Sequence, residues 1–295
     1  MEKNNNRLLV IENIKKCVEN NDFNRKVEVG DHIVTEEERE GIVLNFDTLR
    51  ENKKNIAKRA TARKIANKFT KIFNKNTQIV GLDNIQKIEG GAIITGNHFH
   101  PTDSTVIRHL TNVLDRTSKL DIVIEEENLF LKEFHILMHY CNTIPLSKSD
   151  EYMKRKFFPA IRKFLEKKHW ILIFPEEEMW YYYKKPRPGK IGAYHLAVKY
   201  NVPIIPTFTA MYERPGEYDD DGFNKVDFRL FVMEPLYPDM SLPLKQRKQD
   251  LMKKDYELKV KAYEQAYGKK LDYTFEDWDI AGLEKIEKEK ENIER

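Results

Sequence analysis

Short apolar runs separated by longer amphipathic stretches dominate the middle of the chain. Residues 92–95, 122–124, 143–146, 170–174 and 203–208 each read as a strand, and residues 128–141, 150–168 and 189–199 between them repeat apolar positions at helical spacing. Strands alternating with helices predict an α/β fold, a mixed and largely parallel sheet flanked by helices. Val226, Phe228, Leu230 and Val232 alternate with more polar positions, the pattern of a late strand with one buried face. Pro203 and Pro206 in the 203–208 run mark an edge or a strand end, because proline cannot donate to a sheet ladder.

The two ends read differently. Ala62, Ile65, Ala66, Phe69, Ile72 and Phe73 recur at helical spacing, and Lys64, Lys68, Lys71 and Lys75 fall on the other side. This predicts a basic amphipathic helix near residues 50–75, suited either to packing on the domain or to an anionic membrane surface. Beyond residue 244 the chain is highly charged and helix-prone, ending in the alternating run from Glu284 to Lys290. The resulting division is an N-terminal extension (1–75), a central α/β domain (76–244) and a charged helical C-terminal extension (245–295).

Composition narrows the class. The chain has 295 residues, 40 % of them hydrophobic, which is enough for a packed core. Its net charge of +3 does not argue for a nucleic-acid partner. The two cysteines, Cys17 and Cys141, have no metal-ligand spacing and predict a reducing, cytoplasmic setting rather than a disulfide framework. No apolar stretch approaches the roughly 18 residues that span a bilayer, so any membrane contact is expected to be peripheral, at the inner face of the cell membrane.

Chemistry concentrates just after the 92–95 run, in Gly96-Asn97-His98-Phe99-His100-Pro101-Thr102-Asp103-Ser104. Pro101 helps to fix a turn that returns Asp103 toward His98, and Asp103-Ser104 is placed to open a helix, where Asp is a favoured cap. A carboxylate bonded to one imidazole nitrogen sets the tautomer and raises the basicity of the other nitrogen, which can take a proton from an alcohol. Two further segments stand out: Phe174-Pro175-Glu176-Glu177-Glu178-Met179, three acids directly after a strand, and Val202-Pro203-Ile204-Ile205-Pro206.

In this order, the three segments resemble the glycerolipid acyltransferase family, whose members include lysophosphatidic acid acyltransferases. The family's Asn-His-(four residues)-Asp block corresponds to Asn97, His98 and Asp103, its Phe-Pro-Glu block to Phe174–Glu176, and its Val-Pro-Ile-Ile-Pro block to residues 202–206. The helix start from Lys190 to Ala197 fits as well, and the similarity covers roughly residues 75–210. The resemblance implies transfer of a fatty acyl group from a coenzyme A thioester or acyl carrier protein to a lysolipid hydroxyl, a step of phospholipid biosynthesis that needs no metal or bound cofactor. It assigns His98 as general base and Asp103 as its orienting partner. Asn97, His100, Lys148, Glu176 and Lys190 are placed around the substrates, with Lys148 beside the oxyanion and Glu176 accepting hydrogen bonds from the acceptor. The chain departs from the family in three places. His100 stands where the family has Ser, Lys148 where it has Arg, and Glu177-Glu178-Met179 where it has Gly-Thr-Arg. Arg grips phosphate with a planar fork and Lys acts as a point charge, so phosphate binding would fall to Lys184, Lys185, Arg187 and Lys190.

Two rival readings remain at this level. His98, His100 and Asp103 have the makings of a metal-dependent hydrolase, and only His135 and His139 among the other histidines stand at helical ligand spacing. A non-catalytic lipid-binding relative is the other.

Overall fold

The apolar runs become one twisted sheet with helices on both faces. The computed structural model describes residues 2–30, 32–42, 52–131 and 134–283. Within them β1 (Gln78–Val80), β2 (Ala92–Thr95), β3 (Leu120–Glu125), β4 (Thr143–Leu146), β5 (Trp170–Ile173), β6 (Ile204–Tyr218) and β7 (Asn224–Val232) pair in the order β1-β7-β6-β2-β5-β3-β4. Only the β6–β7 pair is antiparallel, so the mixed, largely parallel α/β sheet expected from the pattern is what forms. The helices are α1 (Glu2–Glu19), α2 (Ile56–Phe73), α3 (Ser104–Val113), α4 (His135–Tyr140), α5 (Phe158–Glu166), α6 (Gly192–Tyr200) and α7 (Leu244–Tyr267).

β2 lies at the centre, between β5 and β6, and all four of its residues are buried. Alternation along the strand sends its side chains to opposite faces. Ile93 and Ile171 join one core with Ile161, Leu165, Tyr194, Ala197 and Leu251, under α5, α6 and α7. Ala92, Ile94 and Leu172 join another with Val106, Ile107 and Leu110 of α3. A strand covered on both faces needs apolar residues at every position, which is why these runs lack a polar alternation. β6 is an inner strand rather than an edge: Pro203 precedes it and Pro206 sits near its start, opposite Thr95.

Packing does not stop at residues 75 or 244. α1 buries Val10, Ile11, Ile14 and Val18 against Trp180, Tyr183, Phe223 and Ile280. α7 buries Leu251, Ala262 and Tyr263 against the sheet and α6. Both end segments therefore share cores with the central domain instead of extending from it. The terminal charged run from Glu284 lies outside the described residues.

The basic helix also differs from its sequence pattern. α2 buries Ala62, Ala66 and Thr70, and the two alanines meet Leu137, Tyr140 and Cys141. Phe69, Ile72 and Phe73 are 39 %, 59 % and 44 % exposed. Small residues allow the close helix approach, and the large apolar ones are left on the outside with Lys64, Lys68, Lys71 and Lys75.

Candidate active site

The loop from Gly96 to Asp103 leaves the carboxyl end of β2, where side chains of a parallel sheet can converge on a substrate. Its entry is fixed by Asn97, whose Nδ2 donates to the Thr209 carbonyl at 3.1 Å and whose Oδ1 accepts from the Thr209 N–H at 2.8 Å. Asn97 is thus a clip between β2 and β6 with its amide engaged on protein, not a substrate contact as expected. Asp103 takes the N-cap position of α3, yet its side chain makes no capping bond. Its Oδ2 instead accepts the His98 Nδ1–H at 2.6 Å, the Phe99 N–H at 3.0 Å and the His100 N–H at 3.4 Å. The loop curls around one buried carboxylate oxygen, and cap energy is forgone to hold the imidazole.

His98 is sandwiched on its other side by Phe174, with ring centroids 4.3 Å apart and planes 8° from parallel. Nδ1 is committed to Asp103, so Nε2 is the nitrogen that can take a substrate proton. The His98 side chain is 23 % exposed and that of Asp103 is 3 % exposed. A buried anion beneath a reachable imidazole is the arrangement general-base catalysis requires.

The three consecutive acids after β5 meet three different fates. Glu177 is exposed and holds a left-handed backbone at φ 63°, where the resembled family places glycine. Glu178 is half-buried. Glu176 is only 2 % exposed; its Oε2 accepts the His98 N–H at 3.1 Å, and its Oε1 accepts the Arg187 N–H at 2.9 Å. Both carboxylate oxygens are occupied by protein, so Glu176 supports the catalytic loop rather than contacting the acceptor.

The proposed phosphate-binding cations are also largely internal. Lys184 pairs with Glu213 at 2.6 Å, Lys185 with Asp279 at 2.7 Å and Arg187 with Glu176 at 2.9 Å, all with nearly fully buried cationic side chains. Lys190 is exposed and its backbone N–H bonds the Pro175 carbonyl at 2.6 Å. Lys148 lines a different opening, a cleft of about 420 Å³ formed with Lys26, His32, Arg39, Glu126 and Glu127. β4 is three steps from β2 in the sheet, about 14 Å at about 4.8 Å per strand. That placement sets Lys148 apart from His98 and from the oxyanion position expected for it.

Sequence reasoning missed the N-terminal segment that crosses this edge. Asn24 Nδ2 donates to the Pro188 carbonyl at 2.8 Å, and Trp180 Nε1 donates to the Arg25 carbonyl at 3.0 Å. Lys26 pairs with Glu127 at 2.8 Å. No periodicity in residues 20–30 signals such a role.

His100 accepts the Thr102 N–H on its Nδ1 at 3.1 Å and stacks on Tyr182 at 5.0 Å. Burial pushes its pKa down to about 4, partly offset by Asp103. A histidine held neutral in the fold costs stability once the unfolded chain protonates it, so stability is full above pH 6.5 and is lost as the pH falls toward 4. Each pH unit crossed between those two values costs about 1.4 kcal/mol, so lowering the pH from 6.5 to 5 removes about 2 kcal/mol. Thermal melts of wild type and His100→Gln at both pH values check this: the variant is expected to lose visibly less on acidification.

The metal-hydrolase alternative finds no support in this geometry. His98 Nδ1 is bonded to Asp103, His100 Nδ1 lies 2.7 Å from Thr102 Oγ1, and His139 Nε2 lies 2.9 Å from the Leu129 carbonyl. Among the described residues no group of three His, Cys, Asp or Glu side chains is arranged to hold a metal ion.

A family model for acyltransferases matches residues 76–209. Among solved structures, the chain is similar to the 1-acyl-sn-glycerophosphate acyltransferase PlsC from Thermotoga maritima, at 20 % identity over 75 % of this chain and 88 % of that one, with a TM-score of 0.44. No curated protein matches the chain. The matched stretch contains the whole loop that presents His98 to Asp103 and the strand end that stacks Phe174 on it, so this part of the chain is similar to an acyltransferase domain.

Proposed function

We propose that this chain is an acyltransferase that moves a fatty acyl group from a coenzyme A thioester or acyl carrier protein to the free hydroxyl of a lysolipid, 1-acylglycerol-3-phosphate or a related acceptor, in phospholipid biosynthesis. The observation that carries the reading is the His98–Asp103 pair at 2.6 Å on the carboxyl edge of the sheet. His98 Nε2 takes the acceptor's hydroxyl proton as its oxygen attacks the thioester carbonyl, and Asp103 stabilises the imidazolium. The tetrahedral intermediate collapses, the carbon–sulfur bond breaks, and the imidazolium returns the proton to the leaving thiolate. No resident cofactor enters this scheme. Purified protein, acyl-coenzyme A and a panel of lysolipids, with products identified by mass spectrometry, test it. New diacyl product on one acceptor supports it; thioester hydrolysis alone overturns it.

A second acceptor class is favoured by one observation. Lys184, Lys185 and Arg187 are committed to internal carboxylates, which withdraws these three cations from a phosphomonoester. A lysolipid with an uncharged, hydroxyl-rich headgroup therefore belongs in the same panel.

The reaction is proposed to take place at the membrane surface, with α2 as the docking element. Its end is tied to the active site: Asn74 Nδ2 donates to Thr105 Oγ1 at 2.9 Å, two residues beyond Asp103. Phe69, Ile72 and Phe73 point outward there among lysines. Fully burying such side chains is worth about 1.5–3 kcal/mol each, and each lysine near an anionic surface adds about 1 kcal/mol. No helix among the described residues is long and apolar enough to cross a membrane. Replacing all three apolar residues by serine is expected to lower binding to anionic vesicles by more than about 10-fold. Reversing Lys68, Lys71 and Lys75 to glutamate is expected to abolish the preference for anionic over neutral vesicles. Co-sedimentation with each kind of vesicle measures both.

A further inference from the structure

Arg187 belongs to none of the motif blocks, yet it is among the largest fully buried side chains of the protein, at 2 % exposure. Its Nη1 donates to the Phe23 carbonyl at 2.8 Å, and its Nη2 donates to the His98 carbonyl at 3.4 Å and to the Glu178 carbonyl. Nη2 also lies 2.9 Å from Glu176 Oε2, and the guanidinium rests over the Trp180 ring at 4.4 Å. Burial works against its charge, and Glu176 works to keep it.

These contacts converge on one backbone. The His98 N–H is held by Glu176 Oε2 at 3.1 Å, and the His98 carbonyl by Arg187 Nη2 and by the Trp180 N–H at 3.1 Å. Asp103 and Phe174 fix the imidazole relative to that backbone. The backbone itself is fixed by the buried Glu176–Arg187 pair. From the end-to-end closure of these contacts we infer that Arg187 is a positioning residue for acyl transfer: through Glu176 and the His98 carbonyl it sets where His98 Nε2 meets the acceptor hydroxyl. A planar guanidinium can serve the carboxylate and three carbonyls at once, and an ammonium cannot. The inference rests on the acyl-transfer reading above.

Misplacement of a reacting group by about 1 Å costs about 10²-fold in rate, and a loss confined to positioning falls on kcat rather than KM. Three variants separate this from a merely structural role: Arg187→Lys, Glu176→Gln, and the double Glu176→Leu/Arg187→Met, which removes both charges and leaves neither orphaned. Rates are compared below the melting temperature of each, on the folded fraction. The expected result is a kcat lowered about 10- to 100-fold in the double variant, with KM for thioester and acceptor within about 3-fold of wild type. Arg187→Lys is expected to fall between the two. A double variant that melts near wild type with wild-type kcat overturns the inference, as does a loss residing wholly in KM. A second readout is independent of turnover. The His98 Nδ1 proton, in its short bond to Asp103, is expected to give a far-downfield proton resonance in wild type and to broaden or lose it in the double variant. Should wild type acylate no acceptor, the functional reading fails, and this resonance alone decides the clamp: an unchanged signal overturns it.

Discussion

Replacing His98 by alanine is expected to lower acyl transfer by about 10²–10⁴-fold, the range that a positioned general base contributes, while leaving the protein folded. The geometry gives both halves of this expectation. In the proposed mechanism His98 is the base, since Nδ1 donates to Asp103 and Nε2 remains for the substrate. The ring's packing is a single stack on Phe174, and Asp103 keeps two backbone N–H donors when the imidazole is gone. The melting curve therefore moves little. Asp103→Asn is expected to show a loss of similar size, because an amide cannot stabilise the imidazolium. The protein carries its own control. His169 lies 2.6 Å from fully buried Asp121, a pair of the same length. It sits where β3 and β5 begin, at the opposite edge of the sheet from His98. His169→Ala is expected to keep kcat within about 2-fold of wild type on folded protein, because general-base catalysis needs an imidazole within hydrogen-bond reach of the substrate hydroxyl. Single-turnover rates and thermal melts of the three variants check the set. Wild-type turnover in His98→Ala would remove the imidazole from the mechanism.

Much of the fold was legible because the central strands are covered on both faces. Runs such as residues 92–94 and Trp170–Ile173 cannot be confused with loops when every position is apolar. The His98–Asp103 pair was legible because both members lie on one loop, so sequence spacing already constrains their distance. The supporting residues were not, and for a physical reason. Lys184-Lys185-Pro186-Arg187 reads as a solvated basic cluster unless one knows that Glu213, Asp279 and Glu176 wait inside. These partners are up to 94 positions away in the chain. Glu176 itself shows the limit of motif reading. The motif located the residue, but only the fold shows that its carboxylate is turned inward to the His98 N–H. The same limit applies to α2, where periodicity located a stripe but not which half of it a neighbouring helix would cover. Ala62 and Ala66 let α4 approach, and the phenylalanines, too bulky for that contact, face out.

The C-terminal helix supplies the largest expected effect on stability. Asp255 of α7 is 1 % exposed. Its Oδ1 accepts from Thr95 Oγ1 at 2.5 Å, and its Oδ2 from Tyr194 Oη at 2.6 Å and Lys259 Nζ at 2.7 Å. One carboxylate thus joins α7 and α6 to the last residue of β2, just before the catalytic loop. Asp255→Ala leaves Lys259 as a buried charge without its counter-ion, which costs about 3–5 kcal/mol, and it strands two buried hydroxyls. At about 2–4 °C per kcal/mol for a domain of this size, the melting temperature is expected to fall by about 10 °C or more. Asp255→Leu/Lys259→Met removes the orphaned ammonium together with its partner and is expected to recover most of that loss. Differential scanning calorimetry of the single and double variants distinguishes the two contributions. A single variant melting within a degree or two of wild type would mean that α7 is a loosely attached tail, as its charge pattern alone suggests, and not a wall of the domain. The carboxylate's three partners and its near-complete burial predict the opposite, with the catalytic loop inheriting its rigidity from a helix some 150 residues further along the chain.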